Sequence, residues 1–132
     1  MRKPAPPAIS EAESQVMDLL WHHAPQGSEE LASALHADTA WHENTVRTLL
    51  NRLVRKGAVR AEREGRRYLY SPLLTREQWQ AAESRSLLDR VFGGRVAPLL
   101  VHFSRNEKLS AKDVAELRKL VDQLEKKERR RD

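Results

Sequence analysis

The residues best suited to chemistry with another molecule begin at Glu43, where amide, hydroxyl and guanidinium side chains are spaced to share one face of a helix. Guanidinium groups pair with phosphates and guanine edges, and short polar groups reach other base edges. At about 100° per residue, these side chains fall opposite an apolar face. We interpret the helix as a DNA recognition helix with these candidate contacts: Asn44, Thr45, Arg47, Thr48, Asn51, Arg52 and Arg55.

The opposite side of this helix predicts packing against a core. Its apolar residues are Val46, Leu49, Leu50, Leu53 and Val54. Gly57 follows the last turn, where a residue with positive φ ends a helix well.

A β-hairpin is predicted directly after this helix. Residues 58–63 and 66–71 flank Glu64-Gly65 as two strands, and Val59, Tyr68 and Tyr70 are predicted to share the face that packs on the helices. Arginines cluster at the tip, as in a wing that lies on the DNA backbone. The candidate wing contacts are Arg63, Arg66 and Arg67.

The net charge of the chain is concentrated in the same region. The 132 residues carry a formal charge of +5, and the stretch from Trp41 to Arg67 holds eight basic and three acidic residues. This stretch therefore accounts for the whole excess, as expected of a nucleic-acid binder. Arginines that only solvate a helix face are the alternative interpretation.

Other kinds of site find little support. The chain has no cysteine, which excludes disulfides, Cys-based zinc sites and thiol sensing. Of its five histidines, His22 and His23 are adjacent and point about 100° apart, so they form no chelating pair. Gly93-Gly94 lacks the flanks of a phosphate-binding loop. We expect no catalysis, no metal and no cofactor.

The apolar runs are too short to span a bilayer, and no secretory signal is visible. We therefore expect a cytoplasmic protein without membrane insertion.

The elements before the recognition helix are predicted from caps and spacing. Ser10 and Glu13 form a capping box that starts a helix ending near His23, and Ser28 is predicted to cap a short second helix. The turn from His36 to Trp41 leads into the recognition helix, and Trp41 is predicted to pack against the core rather than to intercalate between bases. Residues 1–73 are thus predicted to form a winged helix-turn-helix DNA-binding domain.

Residues 74–132 predict a helical dimerisation domain. Thr75 and Gln78 are predicted to form a second capping box, which starts a helix that runs to about Phe92. A short helix is expected over 95–103, and Ser110 is predicted to cap a last helix whose end, 126–131, is frayed. A segment this small is seldom stable alone. The candidate dimer positions are Leu87, Val91, Val114, Leu117, Val121 and Leu124, the last four at coiled-coil spacing. Folding back on the winged domain as a monomer is the alternative. The predicted fold class is therefore mainly α with a small β-hairpin wing.

The chain resembles the BlaI/MecI-type penicillinase repressors in an ordered set of segments that covers nearly its whole length. These segments are Ile9–Glu13 with Val16-Met17 and Trp21, Trp41 with Thr45–Leu53, Lys56–Ala58, Glu64–Arg66 with Tyr68, Tyr70 and Pro72, Phe92 with Gly94, and Leu109-Ser110 with Leu117. The resemblance implies a homodimeric transcriptional repressor that binds palindromic operators ahead of β-lactam resistance or other stress genes.

The resemblance implies, position by position, that Thr45, Arg47, Thr48 and Arg52 face the major groove and that Arg66 lies on the wing. The residue corresponding to Arg47 is often shorter and uncharged in relatives, so the operator preference is expected to differ.

The resemblance also implies inactivation by proteolysis, linked to a membrane-bound metalloprotease sensor. The cut in the best-known relatives falls between Asn and Phe, and the corresponding pair here is His102-Phe103. This pair is a candidate cleavage site that lacks the asparagine. Copper-responsive relatives carry C-terminal cysteines, which this chain lacks.

A winged-helix module that only docks other proteins is the rival interpretation, because fold alone does not settle function. Such a module would not need an acid-poor helix face beside a basic wing. A steep salt dependence of duplex binding would distinguish the two.

Overall fold

A computed structural model describes residues 6–106 and 109–131. The elements are α1 (Glu11–His22), α2 (Ser28–Thr39), α3 (Glu43–Arg55), β1 (Val59–Glu64), β2 (Arg67–Pro72), α4 (Arg76–Val91), α5 (Val96–Asn106) and α6 (Ala111–Arg131). The mainly helical fold with one hairpin is confirmed. Compact units divide between Ser84 and Arg85, inside α4; the functional boundary at residue 73 stays a prediction.

The core of the first unit lies between α1, α2, α3 and the base of the hairpin. Apolar side chains at helical spacing meet there, as amphipathic helices require. The buried residues include Val16, Met17, Leu20, Leu31, Leu35, Val46, Leu49, Leu50, Leu53, Val59, Tyr70 and Leu74. One predicted core position is wrong, because Val54 is 38% exposed at the edge of α3.

The start of α1 is capped as predicted. Glu13 N donates to Ser10 Oγ at 3.1 Å, and Ser10 N donates to Glu13 Oε1 at 2.9 Å. The prediction for α2 is wrong, because Gly27 is the N-cap and Ser28 is already the first helical residue. The Ser28 hydroxyl is thereby released from capping and faces α3 instead.

The turn between α2 and α3 is closed by a residue other than glycine. Ala40 takes the left-handed conformation with φ of 56°, and its N–H donates to His36 O at 2.9 Å. Trp41 is half-buried and packs against the core, as predicted. The turn fixes the direction in which α3 leaves α2.

The hairpin is antiparallel, and its register pairs Glu64 with Arg67. The connecting turn is therefore Gly65-Arg66, one residue later than predicted, with Gly65 at φ of 63°. Tyr68 is 51% exposed rather than packed on the helices. Gln26 adds a short bridge to β2 through paired backbone hydrogen bonds with Tyr70.

The start of α4 packs on the first unit. Thr75 and Gln78 form the predicted capping box. Trp21 Nε1 donates to Leu74 O at 2.8 Å, and the rings of Trp21 and Trp79 lie 5.4 Å apart. The predicted position of α4 is thus confirmed, although the helix ends at Val91 rather than Phe92.

Helices α5 and α6 extend further than predicted. The described part of α5 reaches Asn106, and α6 continues to Arg131 through the stretch expected to fray. Ser110 caps α6 by accepting from Asp113 N at 3.0 Å, as predicted. No residue of α4, α5 or α6 is buried. Within 6–106 and 109–131, no helix is long and apolar enough to cross a membrane.

Candidate nucleic-acid interface

The solvent face of α3 carries the predicted contact residues. Burial of Val46, Leu49, Leu50 and Leu53 fixes the rotation of the helix and turns the polar residues outward. All seven candidates are exposed: Asn44, Thr45, Arg47, Thr48, Asn51, Arg52 and Arg55. The Thr48 hydroxyl donates to Asn44 O at 3.0 Å, so its oxygen remains able to accept from a ligand.

Arg47 is held by neighbouring side chains. Its Nη2 donates to Glu43 Oε1 at 2.7 Å, one turn back along α3, and its Nε lies 3.4 Å from Ser28 Oγ on α2. Ser28 Oγ donates in turn to Glu43 Oε1 at 3.2 Å. The guanidinium side chain is still 55% exposed, so its remaining N–H groups can meet a partner.

The predicted wing arginines lie at the tip of the hairpin, and all three are exposed. Arg66 occupies the turn, Arg63 Nε donates to Gly65 O at 3.2 Å, and Arg67 Nη1 donates to Glu30 Oε1 at 2.8 Å. The Arg67–Glu30 pair joins β2 to α2 at the base of the wing tip.

A cleft of about 690 Å³ lies between α3, the start of α2 and the wing. It brings Arg47 and Asn51 of α3 together with Arg66 and Arg67 of the wing. The other candidate residues of α3 and the wing lie outside its lining. Residues that the sequence analysis did not assign to the interface complete it: Gly27, Ser28, Glu29, Glu64, Tyr68 and Tyr70.

Gly27 was the sequence signal that could have located the start of α2 at this cleft. A Cβ added there would lie 3.3 Å from Arg67 Nη1, so the glycine allows the wing arginine to approach. Burial raises the pKa of the Tyr70 phenol, while the charge of Arg47 acts in the opposite direction. The phenol is therefore neutral at physiological pH and remains a hydrogen-bond donor.

The far end of α3 is anchored by an ion pair that the sequence analysis missed. Lys56 Nζ donates to Glu13 Oε1 at 2.5 Å and to Ala8 O at 2.9 Å. Burial raises the pKa of Glu13, but the hydrogen bonds from Lys56 and Ser10 and the charge of Lys56 lower it more, so the net shift is downward. Glu13 therefore stays ionised and ties α1 to α3.

The predicted dimer and cleavage residues lie in α4, α5 and α6. Leu87, Val91, Val114, Val121 and Leu124 are between 39% and 59% exposed, and Leu117 is half-buried. His102 and Phe103 are exposed inside α5, and the rings of His102 and Phe92 lie 6.3 Å apart. In the described ranges, no cluster of three or more His, Asp or Glu side chains could hold a metal ion.

Comparison with known proteins indicates the family to which the chain belongs. The profile of the family described as Penicillinase repressor matches residues 9–123. The penicillinase repressor of Bacillus licheniformis is 31% identical over 117 residues, which cover 89% of this chain and 91% of that protein. The methicillin resistance regulatory protein MecI of Staphylococcus aureus (strain N315) is 25% identical over 114 residues, which cover 86% of this chain and 93% of that protein.

Comparison with solved structures points to the same family for part of the chain. The DNA binding domain of the repressor BlaI matches with a TM-score of 0.51 at 35% identity, covering 59% of this chain and 93% of that domain. The chain therefore belongs to the penicillinase repressor family, a family of DNA-binding transcriptional repressors and not of enzymes.

Proposed function

We propose that this chain represses transcription by binding a specific operator, with α3 in the major groove and the wing on the adjacent phosphates. The observation that carries the proposal is the cleft, in which arginines of α3 and of the wing converge. A helix that contacts base edges and a loop that contacts the backbone must both bind the same duplex. The cleft offers cations from both elements to the same ligand.

The proposed division of roles follows from the position of each side chain. Arg47 and Asn51 lie on the exposed face of a helix, where they can reach guanine and adenine edges. Arg66 lies at the tip of a two-residue turn and carries its charge beyond the helices, where phosphates would lie. Arg67 is already paired with Glu30, and we assign it mainly to orienting the wing.

We further propose that the repressor is a homodimer on a palindromic operator. Helices α4, α5 and α6 bury no residue in the single chain although their seams are apolar. Such helices gain stability when a second copy covers them. Two-fold symmetry would then place two copies of α3 in successive major grooves, about 34–36 Å apart.

The regulated genes are proposed from the names of the relatives, a penicillinase repressor and a methicillin resistance regulator. We propose that this chain controls β-lactam resistance or related stress genes. Selection of genomic fragments by the purified chain should recover operators beside such genes. Recovery of fragments beside unrelated genes would contradict this part of the proposal.

Induction by cleavage at His102-Phe103, through a membrane-bound metalloprotease sensor, is also proposed. Both side chains are exposed, but the peptide bond lies inside α5, and α5 would have to unwind to enter a protease cleft. Mass spectrometry of the chain from β-lactam-treated cells should detect a fragment that ends at His102. Full induction without that fragment would refute this route.

The salt dependence of duplex binding tests the central proposal. The dimer should bind duplex DNA with a steep negative slope of log affinity against log salt, because each neutralised phosphate releases counterions and contributes about −0.9 to the slope. Fluorescence anisotropy with a labelled duplex selected from a random library measures it. A flat slope, or no binding at low salt, would favour the protein-docking interpretation.

A further inference from the structure

Glu43 is an acid at the start of the basic recognition helix. Its carboxylate accepts from Arg47 Nη2 at 2.7 Å and from Ser28 Oγ at 3.2 Å. Its side chain is 35% exposed, and that of Arg47, which lines the cleft, is 55% exposed. A carboxylate at this position repels the phosphates of any duplex, which is unfavourable on a DNA-binding surface.

The contact acts on the geometry of Arg47. A free arginine side chain samples many rotamers and loses that freedom when it binds. Glu43 and Ser28 hold the Nη2 and Nε edge of the guanidinium, which leaves the Nη1 group and one Nη2 hydrogen as outward donors. The side chain is therefore oriented towards the cleft before any DNA arrives.

The same contact acts on the charge of Arg47. Phosphates are present on every duplex, so a free cation strengthens binding to all sequences alike. A paired guanidinium presents little net charge but keeps directional N–H donors, which base edges can still use. The ion pair thus weakens the sequence-independent part of binding and preserves the sequence-dependent part.

We propose that Glu43 is a positioning residue that determines specificity, because it holds Arg47 for base reading and withdraws it from non-specific phosphate binding. This inference rests on the proposed operator binding. An acid in the first turn of a helix also stabilises that helix through the dipole. That role alone would change stability but would not change the ratio of specific to non-specific affinity.

The test compares wild type, Glu43→Gln, Arg47→Ala and the double variant on two duplexes. One duplex is selected by the wild-type chain from a random library, and the other is a shuffled sequence of the same composition. Anisotropy titrations over a salt series give affinity and salt slope, and thermal unfolding checks the fold. Glu11→Gln is the matched control, because Glu11 is also a first-turn acid of the first unit but is exposed on α1, outside the lining of the cleft.

Glu43→Gln should raise affinity for the shuffled duplex about fivefold, as expected from removing one like charge near phosphate. Its salt slope should steepen by about 0.9 as Arg47 gains a phosphate contact. Affinity for the selected duplex should rise less or fall, so that the specificity ratio drops. In the Arg47→Ala background, Glu43→Gln should leave the ratio unchanged.

Four results would overturn the inference. An unchanged ratio in Glu43→Gln, or an equal change in Glu11→Gln, would show that the Glu43–Arg47 contact has no special role. An undiminished effect of Glu43→Gln without Arg47 would show that Glu43 does not act through Arg47. If the wild-type chain itself does not prefer any selected duplex, the proposed function fails first and the inference fails with it.

Discussion

At the scale of single residues, the arginines of the first unit are not equivalent. Arg47 is restrained by Glu43, and Arg67 is restrained by Glu30, whereas Arg66 lies in an exposed turn. Restrained arginines suit directional hydrogen bonding, because less freedom is lost on binding. An arginine in an exposed turn suits contact with phosphates at several sequences. Substitution of a restrained arginine should therefore affect DNA binding differently from substitution of Arg66.

Arg47→Ala should relax operator specificity, while Arg66→Ala should weaken binding to operator and random DNA alike. Loss of a base contact costs about 1–3 kcal/mol on the selected duplex only. Loss of a phosphate contact reduces the salt slope by about one on both duplexes. Affinity titrations on selected and shuffled duplexes distinguish these outcomes.

Arg105→Ala is the matched control, since it removes the same charge from α5 in the other unit. If Arg47→Ala and Arg66→Ala lowered all affinities equally, the assigned roles of helix and wing would be wrong.

The second residue-scale feature is the ion pair between Glu13 and Lys56. Glu13 is 2% exposed, and its Oε2 atom has no hydrogen-bond partner among residues 6–106 and 109–131. Its folded-state pKa is lowered, so the ionised form stabilises the fold above the unfolded-state pKa. That contribution disappears as the pH falls through the lower, folded-state pKa.

Lys56→Met should destabilise the first unit by about 1–3 kcal/mol at pH 7, because it leaves a buried carboxylate without its cation. The difference from wild type should shrink in acid, where the variant's Glu13 becomes protonated and neutral. Urea unfolding followed by tryptophan fluorescence measures it, since Trp21, Trp41 and Trp79 all lie in the first unit.

Lys119→Met, at an exposed position of α6, should leave the same transition unchanged. A loss of stability in Lys56→Met that is equal at pH 7 and in acid would contradict the charge pairing.

At the scale of elements, the turn between α2 and α3 carries strain. Ala40 has φ of 56°, a conformation that costs an L-residue about 1–2 kcal/mol and costs glycine almost nothing. The turn persists because burial of Val46 and Leu49 on one side and Leu35 on the other determines where the helices lie. Relief of the strain should therefore stabilise the fold without moving α3.

Ala40→Gly should raise the free energy of unfolding by about 0.5–1 kcal/mol, by removing the Cβ from a left-handed residue. Ala37→Gly provides the opposite control, because Ala37 is exposed within α2 and glycine there should cost about 1 kcal/mol. The urea midpoint of the tryptophan signal reports both. A stability loss in Ala40→Gly would show that the turn is not strained.

The elements also show where sequence reasoning succeeds and where it fails. Helical spacing and capping boxes located α1, α3, α4 and α6, because both depend on neighbours within one turn. The turn of the hairpin was displaced by one residue, because glycine takes the first position of the two-residue turn rather than the second. Tyr68 lies on the same strand face as the buried Tyr70, but nearer the tip of the hairpin, where the core no longer covers it.

The candidate site was predictable to a similar degree. The exposed face of α3 follows from its amphipathic pattern, and the arginines of the hairpin are visible in the sequence. The involvement of Ser28 and the pairing of Lys56 with Glu13 are not, because these contacts join residues 15 to 43 positions apart. Sequence spacing alone does not bring such residues together.

At the scale of the whole molecule, the second unit leaves its apolar surface uncovered. Its described helices bury no residue, and Val91, Val121 and Leu124 are at least half exposed. Isolated apolar residues on a surface are ordinary, but several at coiled-coil spacing indicate an interface. In the proposed homodimer, the second copy would bury these apolar residues.

Leu117→Asp combined with Val121→Asp should give monomers, because two carboxylates would have to be buried in the seam. Sedimentation should show wild type at twice the mass of one chain and the variant at one. Affinity for a duplex with two half-sites should fall sharply. Affinity for a single half-site should change little, because α3 and the wing are unaltered.

The matched control introduces two aspartates on the opposite face of α6, as Lys119→Asp with Gln123→Asp. These exposed positions lie off the apolar seam at helical spacing, so the control should remain dimeric. An unchanged mass for Leu117→Asp with Val121→Asp would place the dimer seam elsewhere. Dissociation of the control as well would show that charge on α6, rather than its apolar seam, governs assembly.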